Sequence, residues 1–591
     1  MKKIQDILTD RFSAAFEAAG YDASYGQVAL SNRPDLCEYQ CNGALSAAKK
    51  YHKAPFMIAD DVLAKAMEDS LNGGTFKAEV VKPGFINIVV EPAFLADYVE
   101  KASKDPYLGI EQAKEPKRII IDYGGPNVAK PLHVGHLRAA VIGEAIKRLC
   151  RACGHEVIGD VHLGDWGLQM GLIIRELRER KPDLIYFRDD APTDLDAYPE
   201  EAPFTISELE EIYPFASARS KEDEQYKAEA MEATHELQMK RPGYYALWQQ
   251  IIKVSVTDLK RNYARLNVDF DLWKGESDAE PIIPGMVQRL KDEGIAHYDQ
   301  GALVIDVAEE TDRKTVPPCM VLKSDGASLY NTTDMATIVE RMDLYHPDEI
   351  IYVVDKRQSL YFTQVFRAVR KAGIVGENTE LVHVGFGTMN GRDGKPFKTR
   401  AGGVMRLESL LDEIKEEMVR KIRENKNVRE EDAETTAEIV ALSAIKYGDL
   451  SNQASKDYIF DTEKFTSFEG NTGPYILYTI VRIKSILERA GKEAENGTLL
   501  APATPEEKDL MLDLAKFGPM IGDACEELAP HRICAYIYQT ANDFNRFYHA
   551  TRILTEEDPA RRAGYLRLLQ VTRLVLEKSI DILGFYAPDH M

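Results

Sequence analysis

The sequence RIIIDYGGPNVAKPLHVGHLR, residues 118–138, contains the pattern that indicates the fold. It opens with a short β-branched run, turns at Gly-Gly-Pro-Asn and leads into a helical pattern from His136. Further strand-like runs, each separated from the next by helical pattern, lie at 156–160, 350–355 and 381–385. Strands that alternate with helices predict a parallel, doubly wound sheet of the Rossmann type, with its ligand site at the carboxyl ends of the strands.

The regions on either side of this pattern have a different character. Residues 1 to about 90 combine an amphipathic helix with an alternating strand signal at 85–88, which predicts a small α+β unit. The polar stretch 101–117 is typical of a linker. Helical pattern with acidic runs replaces the strands at about 182–275, and this indicates an insertion into the α/β domain. From about residue 431 onward nearly everything is helical pattern, which predicts a separate all-α domain.

We therefore expect a multidomain α/β protein with three domains. Residues 1–112 form a small N-terminal α+β domain with its linker. Residues 113–460 form the Rossmann-type domain with the helical insertion at about 182–275. Residues 461–591 form the C-terminal all-α domain.

The composition is that of a globular protein with an acidic surface. The 591 residues include 74 Lys and Arg against 96 Asp and Glu, a formal net charge of −22. This total argues against a nonspecific polyanion-binding protein, although a local basic groove would still capture phosphates. The N-terminal helix has acidic residues between its apolar ones and is no signal peptide, and no apolar run approaches the roughly 18 residues that span a bilayer. We expect a cytoplasmic protein without membrane contact.

The seven cysteines favour reduced thiols over a disulfide framework, because their number is odd and they are thinly spread. Cys150-x-x-Cys153 is the only CxxC sequence, and a structural zinc site usually needs four ligands at matched spacings. We therefore expect no metal bound by protein side chains.

His133 and His136 are candidates for binding a nucleotide. They follow the first α/β strand at the start of a helix, where backbone N–H groups favour anions. Imidazoles can donate to phosphate oxygens, and Gly135 has no Cβ that would keep a base or ribose away. A two-histidine metal pair and a chance HxGH sequence are the alternatives for these four residues alone. Their position after the strand favours the nucleotide.

A second candidate for phosphate binding is GRDGKPFKTRAGG at 391–403. Residues 391–406 contain five basic residues and one acidic residue, a local charge of +4. A glycine-rich cationic loop suits closure on a triphosphate, whereas the alternative is a solvated basic turn. Because the sequence has no Walker-type or dinucleotide-binding glycine motif, Lys395 and Lys398 are the main candidates, and Lys130 is a third.

Taken together, these motifs resemble a known family. HVGH, followed about 260 residues later by KPFKT, resembles the HIGH and KMSKS signatures of class I aminoacyl-tRNA synthetases. PNVAKPLHVGHLR, GDWGLQ at 164–169 and GKPFKTRAGG together resemble the arginyl-tRNA synthetase family, over nearly the whole chain. The second signature lacks the usual Met-Ser centre and carries Pro396, which stiffens the loop and leaves open which lysine acts on the phosphates.

The resemblance implies an arginine–tRNA ligase. Such an enzyme uses ATP to activate L-arginine as arginyl-adenylate, with Mg²⁺ bridging phosphate oxygens, and transfers the arginine to the 3′-terminal ribose of arginine tRNA. The N-terminal domain would then contact the tRNA elbow and the C-terminal domain would bind the anticodon. The resemblance also implies that arginine activation requires bound tRNA. We expect a monomer.

The resemblance assigns roles to individual residues. ATP binding falls on His133, Gly135, His136, Lys395 and Lys398, and the candidate catalytic residues are His133, His136, Lys395, Lys398 and Lys130. Arginine binding falls on Asp122, Asn127, His136, Tyr330, Asp334 and Gln364. A guanidinium is a planar fork of five donors, so an acceptor carboxylate at Asp334 and neutral acceptors at Tyr330 and Gln364 suit it. Asp122 stands where the family often has glutamate, and the shorter acid would reach the ammonium of arginine directly or through water.

Three other functions share part of this pattern. A small HxGH nucleotidylyltransferase has the first motif but needs no helical C-terminal domain. A synthetase-like protein that only binds RNA would have lost one of the two phosphate-binding loops. A class I synthetase for another amino acid is the closest rival.

Overall fold

The computed structural model describes residues 1–395, 405–424, 428–495 and 497–591. Its N-terminal region is a small α+β unit, as the alternating pattern predicts. The sheet is antiparallel in the order β1-β2-β4-β3. The elements are α1 (Ile4–Ala18), β1 (Val28–Leu30), β2 (Tyr39–Cys41), α2 (Gly43–Tyr51), α3 (Pro55–Ala66), α4 (Asp69–Asn72), β3 (Phe76–Val81), β4 (Phe85–Val90) and α5 (Pro92–Lys104). Because α5 continues to Lys104, the irregular linker is shorter than the sequence suggests.

The predicted Rossmann-type sheet is confirmed. Five parallel strands lie in the order β12-β11-β5-β6-β7, so the strand order reverses between β5 and β11. The elements up to the insertion are β5 (Arg118–Tyr123), α6 (Val134–Ala152), β6 (Glu156–Leu163) and α7 (Leu168–Arg180). The insertion contains α8 (Ile206–Glu222), α9 (Glu224–Gln238) and α10 (Pro242–Arg265), and it is helical as expected.

The chain segment between β7 and β11 contains an antiparallel sheet, β10-β9-β8, that the sequence did not indicate. The elements from here to the end of the parallel sheet are β7 (Leu272–Gly275), α11 (Glu276–Ala279), α12 (Ile283–Asp292), β8 (His297–Asp299), β9 (Ala302–Ile305), β10 (Cys319–Leu322), α13 (Tyr330–Tyr345), β11 (Glu349–Asp355), α14 (Ser359–Lys371) and β12 (Glu380–Phe386). These additional strands are three or four residues long, and every residue of β8 is exposed, so no apolar alternation marks it.

The described part of the chain from about residue 431 onward is helical, as predicted, apart from the short strand β14 (Tyr458–Ile459). The elements that follow β12 are β13 (Met389–Asn390), α15 (Leu407–Glu424), α16 (Ala433–Leu450), β14 (Tyr458–Ile459), α17 (Thr462–Phe465), α18 (Gly473–Ala490), α19 (Pro505–Ala515), α20 (Phe517–Glu526), α21 (Pro530–Ala550) and α22 (Pro559–Ile582). Strands β13 and β14 pair in parallel, which joins the end of the Rossmann-type region to the start of the helical one.

Helix α6 joins the parallel sheet to the C-terminal helices. Thirteen of its 19 residues are buried, so it has no solvent-facing stripe. The Cys150 thiol on α6 lies 3.8 Å from the Cys525 thiol on α20. The N-terminal region also contacts the C-terminal helices, where Lys508 Nζ donates to Glu38 at 2.6 Å. The C-terminal helices are therefore packed against both other regions.

Candidate active site

The site lies at the carboxyl edge of the parallel sheet, between β5 and β11, where doubly wound sheets bind ligands. The chain leaves β5 through Gly124 and Gly125. A Cβ on Gly125 would lie 2.2 Å from the carbonyl oxygen of His162, so this turn has no room for a side chain. The turn carries the HVGH segment across the edge of the sheet and into α6.

The two histidines of this segment form the first turn of α6. The backbone N–H of His133 donates to His136 Nδ1 at 3.2 Å, and the backbone N–H of Gly135 donates to His133 Nδ1 at 3.0 Å. The ring centroids are 3.9 Å apart. A Cβ on Gly135 would lie 2.7 Å from His133 Cε1, so glycine is required beside that ring. In both rings Nδ1 accepts a backbone N–H, which leaves Nε2 to carry the proton of a neutral imidazole.

Both histidines are neutral near pH 7. Burial, His133 and Lys130 together lower the pKa of His136 to about 3. Burial and the charge of Lys130 also lower the pKa of His133. They are therefore suited to donate hydrogen bonds to phosphate oxygens as uncharged groups rather than to act as cations.

The second signature is anchored on both of its sides, to the first signature on the carboxyl side and to the start of the C-terminal helices on the amino side. On the carboxyl side, His133 pairs with Arg406 in an antiparallel bridge, and the N–H of Val134 donates to Met405 O at 3.0 Å. On the amino side, Arg392 donates to Asp461 and Glu463, at 2.7 Å each. Lys395 is exposed in a turn after β13, whereas Lys398 lies outside the described residues.

Lys130 is held by the helical insertion. Its ammonium lies 4.4 Å from the ring centroid of Tyr213 on α8, a cation–π contact. The preceding Ala129 has a φ of 57°, which is unusual for a residue with a side chain, and its N–H donates to Ser255 Oγ at 3.0 Å. These contacts fix the backbone just before Lys130 and keep its ammonium beside the histidines, close enough to lower both of their pKa values.

Asp334 lies on α13, half-buried and close to several groups of the predicted arginine pocket. Tyr361 on α14 donates its hydroxyl to Asp334 Oδ2. Burial raises the pKa of Asp334, whereas the Tyr361 hydroxyl and nearby His162 oppose this rise. Tyr330, predicted on the same face of the helix, is the first residue of α13. A carboxylate in this setting is suited to a buried cationic ligand.

Glu276 is a second carboxylate in this region, which sequence reasoning missed. It is half-buried at the start of α11, and its pKa is raised to about 7 by burial and by the charges of Asp165 and Asp334. The charge of Glu276 also helps to raise the pKa of Tyr330, after desolvation of that hydroxyl. Protonation or a bound cation relieves the repulsion between these two acidic side chains, and a guanidinium with five donors is suited to be that cation. The sequence signal that could have indicated Glu276 is its position immediately after β7, at the carboxyl end of a parallel strand.

Gln364 and Asn127 are two further residues predicted to bind arginine. Gln364 on α14 donates its amide to Pro317 O at 2.9 Å and to Pro318 O at 3.1 Å, which leaves its side-chain oxygen as an acceptor. Asn127 is half-buried in the turn after β5 and pairs with Gly164 in a parallel bridge.

Asp122 has a structural partner that the sequence did not indicate. Arg341, a fully buried residue of α13, donates to Asp122 Oδ2 at 2.6 Å and to Asp160 Oδ2 at 2.7 Å. One oxygen of Asp122 is therefore used inside the protein. Contact with the ammonium of arginine would have to use the other oxygen or a bridging water.

Three further observations bear on the sequence-based expectations. All seven cysteines are free and buried. Among the described residues, no group of three or more His, Cys, Asp and Glu side chains is arranged to hold a metal ion. No helix in the described part of the chain is long and apolar enough to cross a membrane.

Comparison with known families matches almost the whole chain in three parts. Residues 2–90 match the arginyl tRNA synthetase N-terminal domain. Residues 100–462 match the catalytic domain of tRNA synthetases class I (R), and residues 476–591 match the DALR anticodon binding domain.

Individual relatives agree with these matches over their full length. The chain is 61% identical to an arginine–tRNA ligase of Agathobacter rectalis, and the alignment covers 100% of both chains. It is 53% identical to an arginine–tRNA ligase of Alkaliphilus oremlandii, covering 100% of this chain and 99% of that one. The fold matches the arginyl-tRNA synthetase of Plasmodium falciparum with a TM-score of 0.79 at 24% identity, covering 100% of this chain and 99% of that one. It matches the arginyl-tRNA synthetase of Thermus thermophilus with a TM-score of 0.76 at 24% identity, covering 99% of this chain and 100% of that one. The chain belongs to the arginyl-tRNA synthetase family of class I aminoacyl-tRNA synthetases.

Proposed function

We propose that this protein ligates arginine to arginine tRNA with the residues around the β5–β11 edge. The observation that carries the proposal is the placement of two half-buried carboxylates, Asp334 and Glu276, at the same edge of the sheet as the neutral histidine pair. The two carboxylates suit a guanidinium, and the two histidines suit phosphate oxygens. The reaction joins an arginine carboxylate to the α-phosphate of ATP, so both parts are needed in one pocket.

The first step makes arginyl-adenylate. A carboxylate oxygen of arginine attacks the α-phosphorus of ATP, and the bond from that phosphorus to the bridging oxygen breaks, so the electron pair leaves with pyrophosphate. His133 and His136 donate from Nε2 to phosphate oxygens as neutral groups. Lys130, Lys395 and Lys398 supply positive charge as the negative charge moves onto pyrophosphate.

The second step transfers arginine to tRNA. A hydroxyl of the 3′-terminal ribose attacks the carbonyl carbon of the adenylate, loses its proton and releases AMP. In our proposal residues 1–112 contact the tRNA elbow and residues 461–591 bind the anticodon. The protein acts as a cytoplasmic monomer.

Mg²⁺ enters with the triphosphate rather than in a site of the protein. When bound to the triphosphate, Mg²⁺ neutralises phosphate charge.

In the arginine pocket, Asp334 and Glu276 accept from the guanidinium, together with Tyr330 and the Gln364 oxygen. Asn127 and Asp122 hold the α-amino group and carboxylate end. An amino acid without a guanidinium leaves two desolvated carboxylates unpaired, at a cost of about 1–3 kcal/mol for each. Selectivity for arginine follows from that penalty.

Glu276 should make arginine binding depend on pH near 7. In the free protein its pKa is about 7, and its charged neighbours in the pocket are Asp165 and Asp334. It is therefore ionised at pH 8 and becomes protonated below pH 7, where it loses its attraction for the guanidinium. We expect the arginine KM to rise by up to about tenfold between pH 8 and pH 6, because one pKa unit corresponds to about 1.4 kcal/mol.

Pyrophosphate exchange, measured across this pH range with tRNA present, tests the expectation. Glu276→Gln should give a high arginine KM that no longer changes with pH, and the ATP KM serves as the internal control. An arginine KM in the unmodified protein that stays constant from pH 6 to pH 8 would contradict the role of Glu276.

The three candidate lysines should affect the rate of adenylate formation more than the binding of arginine. We expect Lys395→Ala with Lys398→Ala to lower the rate of adenylate formation by about tenfold or more while the arginine KM changes less than threefold, since the charges act on phosphate. Lys130→Ala should have a similar effect. The control is Lys221→Ala, which removes an exposed lysine of α8. Pyrophosphate exchange and filter binding of labelled arginine separate rate from binding. An unchanged exchange rate in the double variant would remove the second signature from the mechanism.

A further inference from the structure

The GDWG motif, residues 164–167, contacts two parts of the proposed arginine pocket. Gly164 lies against Asn127, and a Cβ on Gly164 would be 2.0 Å from Asn127 Oδ1. The backbone N–H of Trp166 lies close enough to the carboxylate of Glu276 to oppose the rise of its pKa. One short segment after β6 is thus in contact with both ends of the pocket.

Asp165, the second residue of this motif, holds the helix that begins with Glu276. Its side chain is buried, and its Oδ1 accepts the backbone N–H of Ser277 at 2.9 Å. Its Oδ2 accepts the hydroxyl of Ser277 at 2.6 Å. The Asp165 carboxylate therefore makes two hydrogen bonds to the residue that directly follows Glu276.

Asp165 is itself held firmly. Its backbone carbonyl accepts the indole N–H of Trp248 from the helical insertion at 2.8 Å. On the other side, a Cβ on Gly275 would lie 2.6 Å from Asp165 Oδ2, so the carboxylate fills the space beside the turn that leads into α11. Helix α11 has only four residues, so it has few hydrogen bonds of its own to define its direction.

We propose that Asp165 is a positioning residue for arginine recognition, which acts through Ser277 to fix the start of α11 and so aims the Glu276 carboxylate at the guanidinium. This inference rests on the proposed role of Glu276 in the pocket. It assigns a function to the GDWG motif, no residue of which takes part in the proposed steps of adenylate formation. The negative charge of Asp165 also adds to the repulsion that a bound guanidinium relieves.

The test uses Ser277→Ala, which removes one of the two hydrogen bonds, and Asp165→Asn, which removes the charge. We expect each variant to raise the arginine KM by about five- to twentyfold in pyrophosphate exchange with tRNA, while the ATP KM changes less than twofold. The matched control is Asp223→Asn, which alters an aspartate that caps α9 in the insertion through Tyr226 N–H, at 3.0 Å. That variant should leave both KM values unchanged.

A double-variant cycle separates positioning from a general packing defect. In the Glu276→Gln background, Ser277→Ala should raise the arginine KM by less than twofold, because its effect passes through the Glu276 carboxylate. Asp165→Asn in the unmodified background should also move the pH midpoint of the arginine KM downward, because the charge that raises the pKa of Glu276 is gone.

The possible failures are distinguishable. If Ser277→Ala raises the arginine and ATP KM values equally, or if its effect multiplies with that of Glu276→Gln, Asp165 has a structural role only and the inference is overturned. If Glu276→Gln alone leaves the arginine KM unchanged, the role of Glu276 in the proposed function is overturned, and this inference with it.

Discussion

Asp334→Asn should raise the arginine KM between about tenfold and a hundredfold while the ATP KM stays within twofold. A hydrogen bond between charged groups contributes about 1.5–3 kcal/mol, and each 1.4 kcal/mol is a factor of ten. The asparagine also turns an N–H₂ donor toward a ligand that has only donors, so the loss includes a donor–donor contact. Steady-state pyrophosphate exchange with tRNA, varying arginine and ATP separately, measures both constants.

The same helix offers a matched control for this prediction. Asp343 also lies on α13 but is exposed, and Asp343→Asn removes the same charge outside the pocket. It should leave the arginine KM unchanged. Equal changes in the arginine and ATP constants of Asp334→Asn would refute the assignment of Asp334 to the guanidinium.

His136→Ala should lower the rate of adenylate formation by about 100- to 1,000-fold, with a much smaller change in arginine affinity. The loss is that of a preorganised donor aimed at phosphate oxygens, and single donors of this kind account for about 2.7–4 kcal/mol of transition-state stabilisation in other enzymes. Because the pKa of His136 is about 3, the ring is neutral throughout the working range. Single-turnover adenylate formation, followed by the release of labelled pyrophosphate, measures the effect.

An exposed histidine of the insertion provides the comparison. His235→Ala removes an imidazole from the surface of α9 and should leave the rate unchanged. A rate for His136→Ala within fivefold of the unmodified protein would remove this residue from the phosphate site. The unmodified protein should also show no ionisation of His136 in its rate profile between pH 6 and pH 8.

The strong local patterns of the chain predicted most of the fold. Continuous β-branched runs in 118–123 and 349–355 lie in the buried parallel sheet, where both faces are covered, so their composition alone marks them as strands. Strand β8 is the opposite case, because all of its residues are exposed and none carries an apolar alternation. Such a strand depends on its partner β9 rather than on its own composition.

The candidate site was predictable only where its residues are adjacent in the chain. The HVGH segment was recognisable because histidines, glycine and strand end are adjacent in the chain. Glu276 was missed because it follows a four-residue strand whose place in the sheet is not apparent from the sequence. The ion pairs of Asp122 and Asp160 with Arg341 were missed as well, because more than 180 residues of chain separate Arg341 from each aspartate.

The sequence by itself determined the family, the alternating strands and helices, and the HVGH and KPFKT signatures. Each of these depends on residue types at short, regular spacings, which local backbone geometry enforces. Only the tertiary structure decided that Glu276 lies within the electrostatic influence of Asp334, that Asp165 of the GDWG motif bonds Ser277 of α11, and that His133 pairs with Arg406 beyond the second signature. Those contacts join residues that strand order and helix packing bring together, and side chains far apart in the chain acquire a common environment only when the core has formed.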